Sequence, residues 1–391
     1  MADAAKQSHS QDIEKWLALI RAEGVGPILF SRLLKHFETI DRIMGASVAE
    51  LTRVERVGNQ TAERIARTRD KFDCRKEIEQ AEKLGVWLVH RQDVRYPLLL
   101  TEIYDPPPVL YVKGTLNRTD SLGFAIVGSR RCSAYGSEQA SRFACLLADM
   151  GFTIVSGLAR GIDSAAHHGA LAAKGRTLAV QGCGLGQVFP PENKRLFEQI
   201  AESGAVLSEL PMGAESLAEH FPPRNRIIAG LSMGVLVIEA ARGSGALITA
   251  KAALDSNREV MAVPGKIDSP LNAGSHLLLK QGAKLVDSVA DIMDTLGVVG
   301  QDLMDYAVTE ADKKEKQVNT VRLGPAQMNL TDQQQKVLNC LDSEPVHIED
   351  VIIQTQLPAG LVHSAIVHLQ LKQLIRRLPG GFYTKRTVSV E

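Results

Sequence analysis

Apolar positions recur along this chain with more than one rhythm, and the changes of rhythm divide it. Over residues 1–75 they fall three and four apart in short stretches: between Asp12 and Ala22, Ile13, Trp16, Leu17, Leu19 and Ile20 share roughly one helical face. That stretch ends at Gly24-Val25-Gly26-Pro27, where glycines permit a tight turn and Pro27 suits the first position of the next helix. A similar unit, Val54 to Ala66, turns at Gly58. Helix, glycine turn, helix predicts a small SAM-like or helix-hairpin-helix domain. Backbone N–H groups at such helix starts can face a DNA phosphate, and the same pattern also builds purely structural bundles; both readings stay open.

Between residues 76 and 298 short β-rich runs alternate with amphipathic helices. Strands are expected at 86–89, 109–112, 124–127, 152–155, 177–180, 205–209, 234–239, 259–263 and 283–286, and helices at Ser133–Met150, Ile162–Ala173, Asn193–Ser203, Asn225–Leu231 and Ala246–Ser256. This alternation predicts an α/β fold: an extended Rossmann-like, doubly wound, mostly parallel sheet, its first two strands extending one edge. Residues 299–329, with Asp312 to Lys316 reading DKKEK, are polar and aperiodic and are expected to form a linker. From 330 to 391 the pattern returns: helices over Asp332–Leu341, Ile348–Gln354 and Pro358–Leu371, then a hairpin over 375–385 turning at Gly380-Gly381. Three helices and a hairpin predict a winged helix.

Composition narrows the function. The 391 residues carry 45 Lys+Arg against 45 Asp+Glu, which excludes a polybasic protein that coats nucleic acid by bulk attraction but leaves room for a local basic patch. Aromatic residues at 5% are too few for a long stacking platform. The five cysteines show no CxxC pair, so neither a disulfide framework nor a zinc knuckle is indicated. The N-terminal stretch lacks an apolar secretory core, and the run from Ile227 to Ile238 is too short to span a bilayer. A cytoplasmic protein without membrane contact, metal or cofactor is expected.

In a parallel doubly wound sheet ligands bind outside the carboxyl ends of the strands, so the loops there are considered together. They are Gly128–Gly136, Ser156–Asp163, Gln181–Gly186, the loop ending at His220–Arg226, Ala240–Ala250 and Pro264–Ser275. Glycines recur in them, letting backbone N–H groups approach an anion, and so do Arg130, Arg131, Arg160, Arg224, Arg226 and Arg242. Six guanidinium groups at one sheet edge suit phosphate; the alternative is that they pair with Asp163, Glu209, Glu215, Glu219 and Glu239. Other chemistries fit worse. Gln181–Gly186 holds GxGxG, but Val188-Phe189-Pro190-Pro191 separates it from the next helix, so a pyrophosphate could not rest on that helix start. No P-loop or GxSxG elbow exists, and the adjacent His167 and His168 point to different helix faces, which suits packing or capping better than metal.

The runs GSRRCSAYG, SGLARGIDSAAHHGAL, GCGLGQVFPPEN, SELPMG, HFPPRNRIIAGLS, VLVIEAARGSGALITAKAAL and AVPGKIDSPLNAGSHLLLKQGA together resemble the DNA-processing protein A (DprA/Smf) family of bacteria. The resemblance spans the whole Rossmann-like region in order, and the flanking segments resemble the layout of the longer members. It implies a single-stranded-DNA-binding protein of natural transformation, not an enzyme, that protects incoming strands, forms homodimers and helps load the RecA recombinase. It also implies site residues: Gly128, Ser129 and Arg130; Gly157, Arg160 and Gly161; Arg224, Asn225 and Arg226 as a phosphate-facing stretch; Ser244, Gly245 and Thr249; Gly265, Gly274 and Ser275. Asp163 and Glu239 would orient loops, and Phe221 would either stack on a base or pack beneath its loop.

Two further expectations qualify this picture. The third C-terminal helix carries one formal charge, Lys372, so it suits protein contact better than base reading, while Arg376, Arg377, Lys385 and Arg386 could touch a backbone. Two other functions stay open: a nucleotide-binding hydrolase using Asp163 and Glu239 as acid or base, and a scaffold acting through its terminal domains.

Overall fold

A computed structural model describes residues 12–297, 330–341, 346–371, 374–378 and 382–385. The expected linker and the Gly380-Gly381 turn lie outside these residues, as do Lys372, Arg386 and the side chains of Arg376 and Arg377. Among the described residues five helices come first: α1 (12–20), α2 (Pro27–Phe37), α3 (Ile40–Gly45), α4 (Val48–Leu51) and α5 (Asn59–Thr68). Thr39 and Ser47 cap α3 and α4 with their hydroxyls, whereas α2 and α5 start at the glycine turns Gly26 and Gly58 without a side-chain cap. Trp16 on α1 is buried between Phe30 and His90, with ring centroids at 4.9 and 4.8 Å.

His90 ends the first strand, and that stack is one part of a larger joint. The apolar core of the helical segment runs without a break into Val86, Leu88 and Tyr111 of the sheet and into Leu196 and Phe197 on one of its covering helices. Helix α6 (Cys74–Lys83) makes the transition, and its Glu77 carboxylate accepts the Met212 N–H at 2.7 Å.

The sheet and its covering helices follow as β1 (Val86–His90), α7 (Leu98–Thr101), β2 (Val109–Gly114), β3 (Gly123–Val127), α8 (Ala134–Asp149), β4 (Thr153–Ser156), α9 (Ile162–Ala172), β5 (Thr177–Val180), α10 (Lys194–Ser203), β6 (Ala205–Ser208), α11 (Phe221–Gly230), β7 (Gly234–Val237), α12 (Gly245–Asp255), β8 (Glu259–Ala262), α13 (Ala273–Lys280), β9 (Lys284–Leu285) and α14 (289–297). Strand order is β1-β2-β6-β5-β4-β3-β7-β8-β9. Pairings from β6 to β9 are parallel, while β1–β2 and β2–β6 are antiparallel, so the first two strands extend one edge as the broken rhythm predicts. From β1 to β8 the strands are buried nearly throughout because helices cover both faces, while both residues of the edge strand β9 are exposed. The chain winds outward from β3 to β6 and then returns to place β7 on the other side of β3. The topological switch, and the crevice it opens, lies between those two strands.

Helix α11 starts four residues earlier than its apolar pattern suggests, at Phe221, because Pro222 and Pro223 fit its first turn. Beyond 330 the chain forms α15 (Asp332–Asn339), β10 (Val346–His347), α16 (Ile348–Thr355), α17 (Ala359–Leu371), β11 (Ile375–Leu378) and β12 (Phe382–Lys385), with strands in the order β10-β12-β11: a winged helix. Its Val362, Ile366 and Leu369 enter a separate core, and Ser364 donates to the Asp149 carbonyl at the end of α8 at 3.1 Å. Among the described residues no helix is long and apolar enough to cross a membrane.

Two details give measurable consequences. Where α8 and α9 cross, a Cβ at Gly169 would lie 2.2 Å from the Ser141 carbonyl, so Gly169→Ala is expected to destabilise the fold by about 1–3 kcal/mol in denaturant titration. His167 is buried with Nδ1 2.7 Å from the Thr177 hydroxyl, which itself donates to the Ile154 carbonyl; the ring proton therefore sits on Nδ1. Burial pulls this imidazole down to about 3 from 6.5, so unfolding takes up a proton below pH 6.5. The stability that the neutral ring contributes is present above that value and is lost as pH falls, by about 2 kcal/mol at pH 5. His167→Gln, which cannot titrate, should flatten the loss in urea unfolding measured across that interval.

Candidate nucleic-acid interface

The loop from Gly128 to Ser133 leaves β3 at the switch point and enters α8. Glu239, just beyond β7, holds it at two places. Its backbone carbonyl accepts the Ser129 N–H at 2.7 Å, and its carboxylate accepts the Ser133 N–H at 2.8 Å and the Ser133 hydroxyl at 2.6 Å. The Ser133 oxygen in turn caps α8 by accepting the Gly136 N–H at 3.0 Å. A Cβ at Gly136 would sit 2.5 Å from the Glu239 carboxylate, so a glycine is needed to admit that anion to the helix start, where the helix dipole favours negative charge. In a dinucleotide-binding Rossmann fold this is where the pyrophosphate rests; here the chain's own carboxylate takes the place.

Gly161, at the start of α9, has φ 74°, and its Cα lies against the loop so closely that a Cβ would be 2.4 Å from the Ser129 carbonyl. Ile162 N–H donates to that same oxygen at 3.2 Å. Loops from β3, β4 and β7 are thus tied together behind Arg130. The Arg130 side chain is exposed, with its guanidinium carbon 4.8 Å from the centroid of the Phe221 ring. Arg131 and Arg242 are exposed too, and none of the three forms an ion pair with a described carboxylate.

The other three arginines follow the alternative reading, in which loop arginines are paired within the fold. Arg160 is paired with Glu192. Arg224 is 4% exposed: its guanidinium donates to the Gly157 carbonyl at 2.7 Å, to the Val180 carbonyl and to the Asn225 side chain, and it lies beside buried Asp163. Burial lowers Arg224 to about 10, still charged at neutral pH, while burial raises Asp163 and the Arg224 charge opposes that rise. Arg226 is clamped between Asp105 at 2.8 Å and Glu209 at 2.7 Å, with 13% of its side chain exposed. Asn225 donates to the Gly245 carbonyl at 3.2 Å. The stretch Arg224–Arg226 therefore braces the crevice from within, although Arg226 Nη1 is buried without a hydrogen-bond partner. A buried guanidinium must be satisfied by acceptors of the fold itself, or its desolvation goes uncompensated.

Most of the remaining expected residues also lie between loops. A Cβ at Gly157 would meet Arg224 and Asp163 at 2.7 Å, one at Gly265 would meet Asn272 at 2.3 Å, and one at Gly274 would meet the Ala240 carbonyl at 2.7 Å. Ser275 is buried and accepts the Ala240 N–H at 3.1 Å, and Thr249 is buried in α12. Ser244 caps α12, and Gly245 beside it is exposed with open space around it. Gly128 packs against Ile162. Of the loop amides expected to cradle an anion, Ser129 N–H is taken by Glu239 and Arg131 N–H by the Ser129 hydroxyl at 3.2 Å.

Sequence reasoning missed three partners. Asp105 reaches Arg226 from 121 residues away, with no local signal. Phe189 lies 5.8 Å from Phe221 between ring centroids, and buried Gln181 holds Phe189 in place by accepting its N–H at 3.0 Å; the run Val188–Pro191 marked that loop without revealing its neighbour.

A doubly wound sheet with an arginine loop open at its switch point, preceded by a helical hairpin module and followed by a winged helix, defines an extended Rossmann-like protein with an arginine-bearing crevice. Comparison with known proteins makes this specific. Residues 87–297 match the model of DNA recombination-mediator protein A, residues 322–381 the DprA winged helix domain and residues 17–69 a SAM-like helix-hairpin-helix tandem. Protein Smf of Synechocystis is 36% identical over 392 residues, 95% of this chain and 98% of its own. The X-ray structure of DprA from Streptococcus pneumoniae is 36% identical over 72% of this chain and 97% of its own, with a TM-score of 0.64. DNA processing protein A from Helicobacter pylori, a structure described in terms of its single-stranded DNA binding mode, is 28% identical over 54% of this chain and 95% of its own, with a TM-score of 0.49. The chain belongs to the DNA recombination-mediator protein A family, whose members are named DprA or Smf.

Glu239→Ala removes the acceptor of two hydrogen bonds and leaves the Ser133 N–H unpaired, an expected cost of about 1–3 kcal/mol in thermal unfolding. Hydrogen exchange should show reduced protection at Ser133 and retained protection at Ser129, whose partner is a backbone oxygen.

Proposed function

We propose that this protein binds single-stranded DNA by capturing phosphates at the carboxyl edge of its sheet, with Arg130 as the principal charge and Arg131 and Arg242 extending the track. The observation that carries this reading is the contrast among the arginines: Arg160, Arg224 and Arg226 are matched by acceptors of the fold, and the three others are left to solvent. Phosphate contact needs a charge free of carboxylates, and an exposed guanidinium offers in-plane N–H donors to a phosphate oxygen pair. Nothing in the crevice is built to read base edges, so sequence preference should be slight.

Family membership supports the wider role: a cytoplasmic binding protein of natural transformation that shields an incoming strand and hands it to the RecA recombinase. With zero formal charge and few free cations, one protomer grips few phosphates, and a homodimer that aligns two crevices along one strand would supply the avidity. The hydrolase alternative loses its candidate acid and base, since Glu239 is committed to α8 and Asp163 is buried beside Arg224.

Titration of labelled oligo-dT in rising salt tests the reading. Arg130→Ala should weaken binding and flatten the logarithmic salt slope by about 0.7 for each phosphate that the variant no longer neutralises. Arg226→Ala should instead lower stability, by leaving Asp105 and Glu209 without their counter-charge. Unchanged binding by Arg130→Ala would refute the placement.

A further inference from the structure

We infer that the N-terminal helical segment sets the geometry of the crevice, with Arg21 and Glu77 as the positioning residues. This rests on the single-strand reading above and deepens it. The joint between helical segment and sheet is largely apolar, from Trp16, Leu17 and Phe30 to Val86, Leu88 and Met212, and a small polar cluster is set into it. Arg21, just after α1, donates its Nη2 N–H to the Glu209 carbonyl at 3.2 Å, while its Nε stays buried without a hydrogen-bond partner. Glu77, buried on α6, accepts the Met212 N–H at 2.7 Å. The Tyr111 hydroxyl is buried beside both side chains. Both bonds end on residues 209–212, the segment that leaves β6.

That segment reaches the crevice by two routes. Along the first, the Glu209 carboxylate holds Arg226 of α11 at 2.7 Å. Along the second, the Met212 carbonyl accepts the Gly186 N–H at 3.0 Å and the Ala214 carbonyl accepts the Gly184 N–H at 2.9 Å, which ties the 181–187 loop to the segment. A Cβ at Gly186 would lie 2.5 Å from the Met212 carbonyl, so a glycine is needed for that approach. The same loop packs on Phe221, where a Cβ at Gly182 would be 3.0 Å from the ring Cδ1. Both routes end on the first turns of α11, and the Phe221 ring there supports Arg130. A buried polar pair adds little stability to a joint that apolar burial already holds; what it fixes is register. Here it fixes the register of the segment on which both α11 and the 181–187 loop rest. A shift of the helical segment therefore displaces Arg130, and by linkage a strand held at Arg130 restrains the segment.

Variants of the full chain, titrated with labelled oligo-dT, provide the test. Arg21→Met keeps the apolar stem and removes the donor; Glu77→Met keeps the bulk and leaves the Met212 N–H unpaired. Each should weaken oligo-dT binding by about fivefold or more with the salt slope unchanged, since no phosphate contact is removed. Arg21→Lys and Glu77→Gln, which retain a donor and an acceptor, should restore the affinity to within about twofold. On an Arg130→Ala background Arg21→Met should change the affinity by less than about twofold, because its effect passes through Arg130. In the unaltered protein oligo-dT should slow hydrogen exchange of the Met212 amide, a response that a joint serving stability alone would not give. Unchanged affinity in Arg21→Met, whatever its unfolding temperature, makes the joint a structural seam and overturns the inference, leaving the single-strand reading intact. A flatter salt slope in Arg21→Met puts Arg21 on phosphate itself and overturns it as well. Failure of the unaltered protein to hold oligo-dT overturns the single-strand reading and this inference with it. Arg21 is half-buried, so its variants remain decisive if Glu77→Met does not fold.

Discussion

The Glu239 carboxylate, set against the first turn of α8, is the contact on which the rest of the crevice depends. A strand-to-helix turn at a switch point leaves backbone N–H groups that need an acceptor, and a Rossmann fold commonly leaves that need to a phosphate. Here it is met from within, by a side chain that leaves β7 and joins the two strands flanking the switch. The loop between Gly128 and Ser133 therefore has a settled course without ligand. Gly136 makes the approach sterically possible, and Gly161 makes the same accommodation on the other side of the loop. With helix start and loop both satisfied, Arg130, Arg131 and Arg242 are left exposed at the edge of the crevice.

The distribution of charge follows from the cost of burial. Arg224 and Arg226 share the first turns of α11, and both are withdrawn from solvent: the first is held by carbonyls at the ends of β4 and β5, the second by carboxylates from the β2 approach and the β6 exit. Such groups are expensive to bury and need acceptors or counter-charges around them, which these two have, while Arg226 Nη1 stays buried without a hydrogen-bond partner. They brace the loops and are neutralised in doing so. A protein with no net charge can still present a cationic edge, because only exposed and unpaired groups project a field into solvent. The helical segment at the N-terminus obeys the same constraint of burial. Trp16 stacks on His90, and the apolar core passes from α1 into β1 and β2 without a break, so the segment covers part of the sheet as well as folding on itself.

Much of the fold could be read from the chain alone. Apolar runs of four to six residues separated by amphipathic stretches specify strands of a mostly parallel sheet, and the nine strands of the large sheet lie where those runs do. The glycine turns at Gly26 and Gly58, and the cap at Thr331, are likewise local choices of backbone conformation and hydrogen bonding that a few neighbouring residues decide. The loops at the carboxyl edge could also be assembled from strand order, because a doubly wound sheet leaves them nowhere else to go.

What the chain did not disclose is which arginine faces water. Arg130, Arg224 and Arg226 look alike as letters in glycine-rich loops; their fates differ because Asp105 and Glu209 converge on one, strand-end carbonyls on another, and a phenyl ring on the third. Those partners come from segments tens to more than a hundred residues away, so no local period or spacing encodes them. Secondary structure and layer order are decided by short-range pattern and were determined by the sequence itself. The charge state of the crevice is a property of long-range contacts, and tertiary packing alone decided it.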